Sequence, residues 1–173
     1  MIKIVVTGSE SVGKTRLARQ LGAHYDAPVS EEFVRGYAAT RPAPLGFADH
    51  GPIAHGQMAA EDAAIASARD LVVLDTDLVS TVVYCEHYFG RAPSWIVDQA
   101  RSRAGGLYLL LRPDVPWIAD GVRDRGERRE EMHVLFATKL QELNVTTVEI
   151  AGDWNTRFAT AVRAIDVLHG ARA

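Results

Sequence analysis

The stretch GSESVGKT, residues 8–15, decides the fold of this chain. The apolar, β-branched run IKIVVT at residues 2–7 precedes it and is typical of a buried strand. After the stretch, Leu17 and Leu21 stand four apart, as on one face of a helix, and Gly22 is expected to cap that helix. The pattern G-x-x-x-x-G-K-[ST] between a strand and a helix predicts a phosphate-binding P-loop.

The chemistry of this loop predicts how a nucleotide is held. Its backbone N–H groups turn inward at the start of a helix and form an anion site. The two glycines allow backbone angles and close approaches that a Cβ would block. Lys14 is expected to reach the β- and γ-phosphates, and the Thr15 hydroxyl is expected to ligate Mg²⁺. ATP and Mg²⁺ are therefore the expected cofactors. The expected nucleotide-binding residues of the loop are Gly8, Ser9, Glu10, Ser11, Val12, Gly13, Lys14 and Thr15.

Composition limits the class of protein. The chain has 173 residues, 47% of them hydrophobic and 24% charged, which predicts one globular domain over residues 1–173. A net charge of −3 offers no electrostatic basis for binding nucleic acid or a membrane surface. The sole cysteine, Cys85, excludes an internal disulfide and a thiolate zinc site. The N-terminal apolar run is too short for a signal peptide and no run approaches a membrane span, so a cytoplasmic location is expected.

Apolar runs and helical periodicity alternate along the chain. Strands are expected at residues 27–30, 71–75, 106–111 and 145–150, and helices at 52–69, 77–89, 93–104, 127–143 and from 153 onward. Strands that alternate with helices imply right-handed βαβ units and a parallel sheet covered on both faces. We therefore predict a three-layer α/β P-loop NTPase fold with a five-stranded parallel sheet and an arginine-rich lid.

Acidic residues follow two of the expected strands, at the edge where parallel sheets bind ligands. Asp75 ends a continuous apolar strand and is the natural metal-side (Walker B) acid, so Thr15 and Asp75 form the predicted metal site. Glu32 or Asp77 is the natural group to orient the attacking hydroxyl; the alternative for Asp77 is a plain helix N-cap. Arg35 either binds a phosphate or pairs with Glu32.

The segment PWIADGVRDRGERR, residues 116–129, holds four arginines in seven residues. It lies between an expected strand and an amphipathic helix, where small P-loop kinases have a lid that closes over the phosphates. Gly121 and Gly126 favour a hinged lid over about residues 112–130. The alternative is a solvated charged turn, because nearby acids almost balance the arginines.

Four other side chains have two open interpretations. Gln57 and Glu61, four apart on an expected helix, face either an acceptor pocket or solvent. Trp117 stacks on a ring of the ligand or packs within the lid. Trp154 is more typical of a core residue than of a ligand contact.

Six segments, at the spacing they have here, resemble the ribosylnicotinamide kinase domain of bifunctional NadR-type proteins, an AAA-type ATP-binding domain. They are the P-loop, EFVRGY (32–37), GQ (56–57), DTD (75–77), PWIADGVR (116–123) and DWNTRF (153–158). The resemblance covers nearly the whole chain. Any P-loop kinase shares the first segment, whereas the D-T-D and P-W-x-x-D-G-x-R segments are more particular.

The resemblance implies a role for each matching residue. The implied catalytic residues are Lys14, Glu32, Asp75, Asp77 and Arg123. The implied nucleotide contacts beyond the loop are Arg123, which would reach the phosphates, and Trp154 and Arg157, which would flank the adenine. The implied residues of the riboside pocket are Glu32, Arg35, Tyr37, Gln57, Asp77, Trp117 and Asp120.

Two departures from the family pattern bear on function. Bifunctional members carry an adenylyltransferase domain upstream, whereas Met1 here leads directly into the first strand, so we expect a stand-alone kinase or a piece cut to one domain. The family often has an aromatic residue just before the Glu-x-x-Arg segment, where this chain has Glu31. That second departure leaves the identity of the acceptor open.

The predicted function is transfer of the ATP γ-phosphate to a riboside hydroxyl, with nicotinamide riboside, converted to NMN, as the leading acceptor. One alternative is a P-loop kinase for another nucleoside or a vitamin alcohol. Another is a nucleotide-binding regulatory NTPase without a small-molecule acceptor. The strand-end acids and the lid arginines favour a kinase, because a switch needs no acceptor pocket. A small-molecule substrate is the expected partner, and the oligomeric state stays open.

Overall fold

A five-stranded parallel sheet forms the middle layer of the computed structural model, which describes residues 1–41, 44–116 and 128–170. Its strands are β1 (Ile2–Thr7), β2 (Val29–Ser30), β3 (Leu71–Asp75), β4 (Leu107–Leu111) and β5 (Thr147–Ile150). They lie in the order β2-β3-β1-β4-β5, so β1, which leads into the P-loop, is central. The predicted α/β class and five-stranded parallel sheet are confirmed.

Helices cover both faces of the sheet. They are α1 (Lys14–Tyr25), α2 (Phe33–Ala39), α3 (His50–Ser67), α4 (Leu78–Phe89), α5 (Ser94–Ser102), α6 (Arg129–Glu142) and α7 (Trp154–Gly170), with a short 3-10 helix, Phe47–Asp49, before α3. The helices α1 and α7 pack on one face and α3 to α6 on the other. Because both faces are covered, β3 and β4 are buried along their whole length, which explains their continuous apolar sequence. No helix in the described ranges combines the length and the apolarity needed to cross a membrane.

The C-terminal ends of α1 and α4 differ in the residue that caps them. Gly90 ends α4 with a φ of +70°, directly after the helix predicted for residues 77–89. Gly22 lies inside α1, so the prediction that it caps the helix is wrong; Asp26, with a φ of +50°, takes that position. A Cβ on Gly22 would lie 2.3 Å from a methyl group of Val29, so this glycine lets β2 approach the helix closely.

Candidate active site

The P-loop needs glycine at both of its glycine positions. Gly8 and Gly13 have φ angles of +135° and +91°, which L side chains rarely adopt. A Cβ on Gly8 would lie 2.8 Å from the Leu111 carbonyl oxygen, at the end of β4. A Cβ on Gly13 would lie 2.5 Å from the ring of Trp154. The loop is therefore confined between β4 and the start of α7.

Lys14 begins α1 and is buried against the loop. Its Nζ donates to the carbonyl oxygens of Ser9 at 2.7 Å and Gly8 at 3.2 Å. The first turn of α1 adds N–H groups that have no acceptor within the helix, and its positive dipole end, at the same place. The loop therefore presents a fixed positive site suited to a phosphate chain.

Thr15 and Asp75 come into direct contact, as the predicted metal site requires. The Thr15 hydroxyl donates to Asp75 Oδ2 at 2.6 Å. Burial raises the pKa of the Asp75 carboxyl, whereas the Thr15 hydrogen bond and the Lys14 charge lower it. Asp75 Oδ1 is buried and has no hydrogen-bond partner among the residues that the structure describes. A hydroxyl beside a carboxylate with a free buried oxygen is a donor set that fits Mg²⁺.

Glu32, at the start of α2, lies near the same acid. The Arg35 guanidinium donates to Glu32 Oε2 at 3.4 Å, so the pairing alternative for Arg35 holds. The Glu32 charge raises the pKa of Asp75 and the Arg35 charge lowers it, although burial has the larger effect. The end of β3 and the start of α2 thus bring two carboxylates and a guanidinium to one place.

The carboxylate of Asp77 is used inside the protein. Oδ1 accepts from the backbone N–H of Val79 at 3.0 Å and caps α4, and Oδ2 accepts from the Tyr108 hydroxyl at 2.6 Å. Burial raises the pKa of Asp77 to about 6. The helix-cap alternative for Asp77 is confirmed, and both of its oxygens already have partners.

The buried side chain of Gln57 links the start of α2 to the turn after β3. Its side-chain oxygen accepts from the Phe33 N–H at 3.1 Å, and its Nε2 donates to the Thr76 carbonyl at 3.4 Å and lies 3.5 Å from a Glu61 oxygen. Gln57 and Glu61 are only 2% and 1% exposed, so the solvent-facing alternative is wrong for both. Gln57 therefore joins the first residues of α2 to the turn between Asp75 and Asp77.

Glu61 belongs to a buried polar network beneath that turn. Two nitrogens of Arg103 donate to Glu61 Oε2, each at 3.3 Å. Burial and the Asp77 charge raise the pKa of Glu61 to about 7, against the charges of Arg103 and Lys3. The sequence did not predict the arginine, the lysine or Tyr108 as parts of a network. The one signal was a tyrosine within a fully apolar strand, since a buried tyrosine hydroxyl usually needs a partner.

Two aromatic residues fix α2 in place. The Tyr37 hydroxyl donates to Asp49 Oδ1 at 2.8 Å and is also bonded by the Arg41 guanidinium. Phe33 packs on Gly56, where an added Cβ would lie 2.2 Å from the ring. The contact of Tyr37 with a ligand stays a prediction.

At the start of α7, Trp154 and Arg157 take different positions. The Trp154 ring packs on Gly13 of the P-loop, and the Arg16 guanidinium lies 4.3 Å above the ring. Arg157 is 1% exposed, and its guanidinium bonds to groups of the protein, so it has almost no surface for a direct contact with a nucleotide. Three other predicted site residues, Trp117, Asp120 and Arg123, lie outside the described residues with most of the predicted lid.

This chain is similar in sequence to known NadR proteins. The trifunctional NAD biosynthesis/regulator protein NadR of Escherichia coli (strain K12) is 28% identical over 174 aligned residues, which cover 96% of this chain. The protein of the same name from Salmonella typhimurium is also 28% identical, with the same coverage. The chain spans 42% of the length of these relatives.

Solved structures show the same similarity in three dimensions. A NadR protein in complex with NR superposes with a TM-score of 0.79 at 28% identity, over 95% of this chain and 50% of that one. A NadR protein with NAD and AMP-PNP gives a TM-score of 0.76 at 26% identity, over 95% and 48%. Thymidylate kinase from Ehrlichia chaffeensis, at 14% identity and a TM-score of 0.66, covers 96% of this chain and 98% of its own, and shares the fold.

A protein-family model described as an AAA domain also matches, over residues 3–157. The match includes the P-loop, both strand-end acids and the start of α7. It therefore covers every described residue of the site. On this evidence the chain belongs to the AAA domain family.

Proposed function

We propose that the chain is an ATP-dependent kinase that transfers the γ-phosphate of ATP to a riboside hydroxyl, with nicotinamide riboside as the acceptor and NMN as the product. The observation that carries this proposal is the contact of Thr15 with Asp75 at 2.6 Å beside Glu32, in a chain that superposes on a NadR protein in complex with NR. The NadR structures hold NR in one case and AMP-PNP in the other, which supports the proposed classes of substrate and nucleotide.

The nucleotide is held by the P-loop. Its N–H groups and Lys14 bind the β- and γ-phosphates, and Trp154, packed on Gly13, lies at the rim of the loop for the base. Thr15 and Asp75 would hold Mg²⁺, which supplies positive charge to the phosphates when it is bound. These residues neutralise the charge that would otherwise repel an attacking hydroxyl.

Glu32 is the acid that we assign to the acceptor hydroxyl. It lies beside Asp75 at the carboxyl end of the sheet and is paired with Arg35, whereas Asp77 caps α4 and accepts from the Tyr108 hydroxyl inside the protein. A carboxylate in this position accepts the proton of the attacking hydroxyl and orients its oxygen toward the γ-phosphate. Asp77 then supports the turn between β3 and α4.

The remaining predicted residues complete the proposal. Arg35, with a side chain that is 55% exposed, is available at the mouth of the site while it pairs with Glu32. Arg123 of the lid would stabilise the phosphates, and Trp117 and Asp120 would contact the riboside. We further propose that the protein acts in the cytoplasm on this small-molecule substrate.

The proposal is tested by measuring ADP release with ATP and Mg²⁺ against a panel of ribosides and vitamin alcohols, with the product identified by mass. We expect nicotinamide riboside to stimulate release most and to gain one phosphate. Stimulation by a different acceptor would support kinase activity but reject nicotinamide riboside as the substrate. ATP binding with no stimulation by any acceptor would reject the kinase in favour of a regulatory NTPase.

A further inference from the structure

We infer that Arg157 is a positioning residue for the phosphates of ATP, which it reaches through the P-loop backbone rather than by contact with the nucleotide. This inference rests on the proposed binding of ATP at the P-loop. It differs from the adenine contact expected for Arg157 from sequence, because the guanidinium is 1% exposed.

The guanidinium of Arg157 joins three loops. One nitrogen donates to the carbonyl oxygen of Val12 in the P-loop at 2.8 Å. A second donates to the Arg112 carbonyl at 2.8 Å and bonds the Asp114 carboxylate, just after β4. The Nε donates to the Gly152 carbonyl at 2.8 Å, just before α7. The planar fork of an arginine suits several carbonyls at fixed angles, which a lysine ammonium cannot match in the same way.

The bond to Val12 decides the orientation of one peptide group of the phosphate site. A trans peptide is planar, and its C=O and N–H point in opposite directions. Because Arg157 holds the Val12 oxygen on the α7 side, the N–H of Gly13 in the same peptide must point the other way. With a φ of +91°, Gly13 is the residue at which this peptide is most free to rotate. Arg157 therefore fixes an N–H group of the anion site before a phosphate arrives.

The surroundings of Arg157 support this role. The Trp154 ring, three residues earlier on α7, packs on Gly13, and the Arg157 guanidinium lies 5.4 Å from the centre of that ring. Asp114 also accepts from the Gly152 N–H at 2.7 Å, so the same carboxylate holds both the arginine and the loop before α7. The start of α7 thus holds the peptide between Val12 and Gly13 through a side-chain hydrogen bond and a ring contact.

The test compares affinity for ATP with affinity for tripolyphosphate, which has the phosphates without the adenosine. Both are measured by calorimetry without any acceptor, so the result does not depend on which acceptor is used. We expect Arg157→Lys to weaken both ligands by a similar factor, about tenfold, if the effect passes through the phosphate site. In turnover the KM for ATP should rise while the KM for the acceptor stays the same.

Ile165→Ala is the matched control, because Ile165 is fully buried two turns further along α7 and packs in the core. It should lower the unfolding temperature and leave both affinities unchanged. A loss of ATP affinity with normal tripolyphosphate affinity in Arg157→Lys would overturn the inference in favour of an adenine contact. No loss for either ligand would also overturn it.

Asp114→Asn provides a second test that keeps the arginine, in case Arg157→Lys does not fold. It removes the charge that holds the guanidinium but leaves its bond to Val12 possible. We expect a smaller loss, about threefold, again equal for ATP and tripolyphosphate. An unchanged affinity for both ligands in this variant would contradict the inference. Failure of nicotinamide riboside as an acceptor would reject the proposed function and leave these binding results intact.

Discussion

The P-loop and the α2–α3 region, residues 31–67, form two sides of one site in different ways. The P-loop is one continuous segment, and side chains bond to its backbone, as when Lys14 and Arg157 donate to its carbonyl oxygens. The α2–α3 region depends on side chains from separate segments. Gln57 joins the Phe33 N–H to the Thr76 carbonyl, and Phe33 in turn packs on Gly56.

This difference indicates which side can change specificity. Every nucleotide presents the same phosphates, so a loop that binds them has no part in distinguishing one acceptor from another. The α2–α3 region, which we propose to bind the acceptor, is held by a few side-chain contacts, each of which one substitution can alter. We therefore expect substitutions in the P-loop to remove activity and substitutions in the α2–α3 region to change affinity for the acceptor.

The largest expected effect is on the P-loop side. Lys14→Ala removes the charge that we propose to bind the β- and γ-phosphates and should lower kcat by about a thousandfold. Circular dichroism should show a native fold, because the Lys14 ammonium bonds loop carbonyls and does not pack in the apolar core. Turnover within tenfold of the native protein would contradict the role proposed for the loop.

The next effect separates the two candidate acids. Glu32→Gln keeps the shape of the side chain but removes the proton acceptor, so kcat should fall by about a hundredfold. Asp77→Asn should leave kcat within a few-fold, because its oxygens cap α4 and accept from Tyr108. Both variants are compared at saturating ATP and acceptor. The opposite ranking would place the hydroxyl-orienting acid at Asp77 and reject our assignment.

The sequence predicted the P-loop side well for a physical reason. A strand, a glycine-rich turn and a helix are local structures, and each leaves a local pattern. Leu71–Asp75 was also predicted to its exact bounds, since a strand buried on both faces is a continuous apolar run. Its last residue, Asp75, meets Thr15 because neighbouring parallel strands end at the same edge.

The contacts that the sequence could not predict join residues far apart in the chain. Arg157 and Val12 are 145 positions apart, and Gln57 and Phe33 are 24 apart. Each is a side chain bonded to a backbone group, and such a contact depends on how helices pack rather than on any periodic pattern. For this reason the family resemblance placed Arg157 beside the adenine, and the sequence pattern left Gln57 between pocket and solvent.

A third prediction concerns the buried network that supports the α2–α3 region. The ordinary pKa of a glutamate is 4.5, but burial raises the pKa of Glu61 in the folded protein to about 7. The folded state therefore holds the proton more tightly than the unfolded chain, and stability should fall as pH rises from about 4.5 to 7. Glu61→Gln should remove about 2 kcal/mol of this pH-dependent loss, measured by urea unfolding at pH 5 and pH 8.

Asp62→Asn is the control for this network, because Asp62 bonds the same Arg103 at 2.5 Å from an exposed position. Glu61 keeps its burial and its bonds from Arg103 in this variant, so the variant should keep the native change in stability between pH 5 and pH 8. Equal slopes in the native protein and in Glu61→Gln would show that Glu61 does not titrate in this range. The contact of Glu61 with Gln57 would then be the same at pH 5 and at pH 8.

The smallest expected effect comes from adding one methyl group to the packing between α2 and α3. Gly56→Ala places a methyl group where the Phe33 ring lies, 2.2 Å from its nearest atoms, so the ring must move, and we expect the start of α2 to shift with it. Glu32 and the bond from the Phe33 N–H to Gln57 lie at that start. We expect the KM for the acceptor to rise by about tenfold while affinity for ATP, measured by calorimetry, stays unchanged.

Gly36→Ala is the matched control, because Gly36 lies within α2 and has no atom within 4 Å of an added Cβ. Alanine there removes a flexible residue from a helix and should stabilise the protein by about 0.5–1 kcal/mol without changing the KM for the acceptor. The two variants make the same chemical change in neighbouring helices and differ only in what the methyl group meets. If Gly56→Ala weakened ATP and acceptor equally, the two sides of the site would be coupled, and the division between a backbone-built and a side-chain-built half would fail.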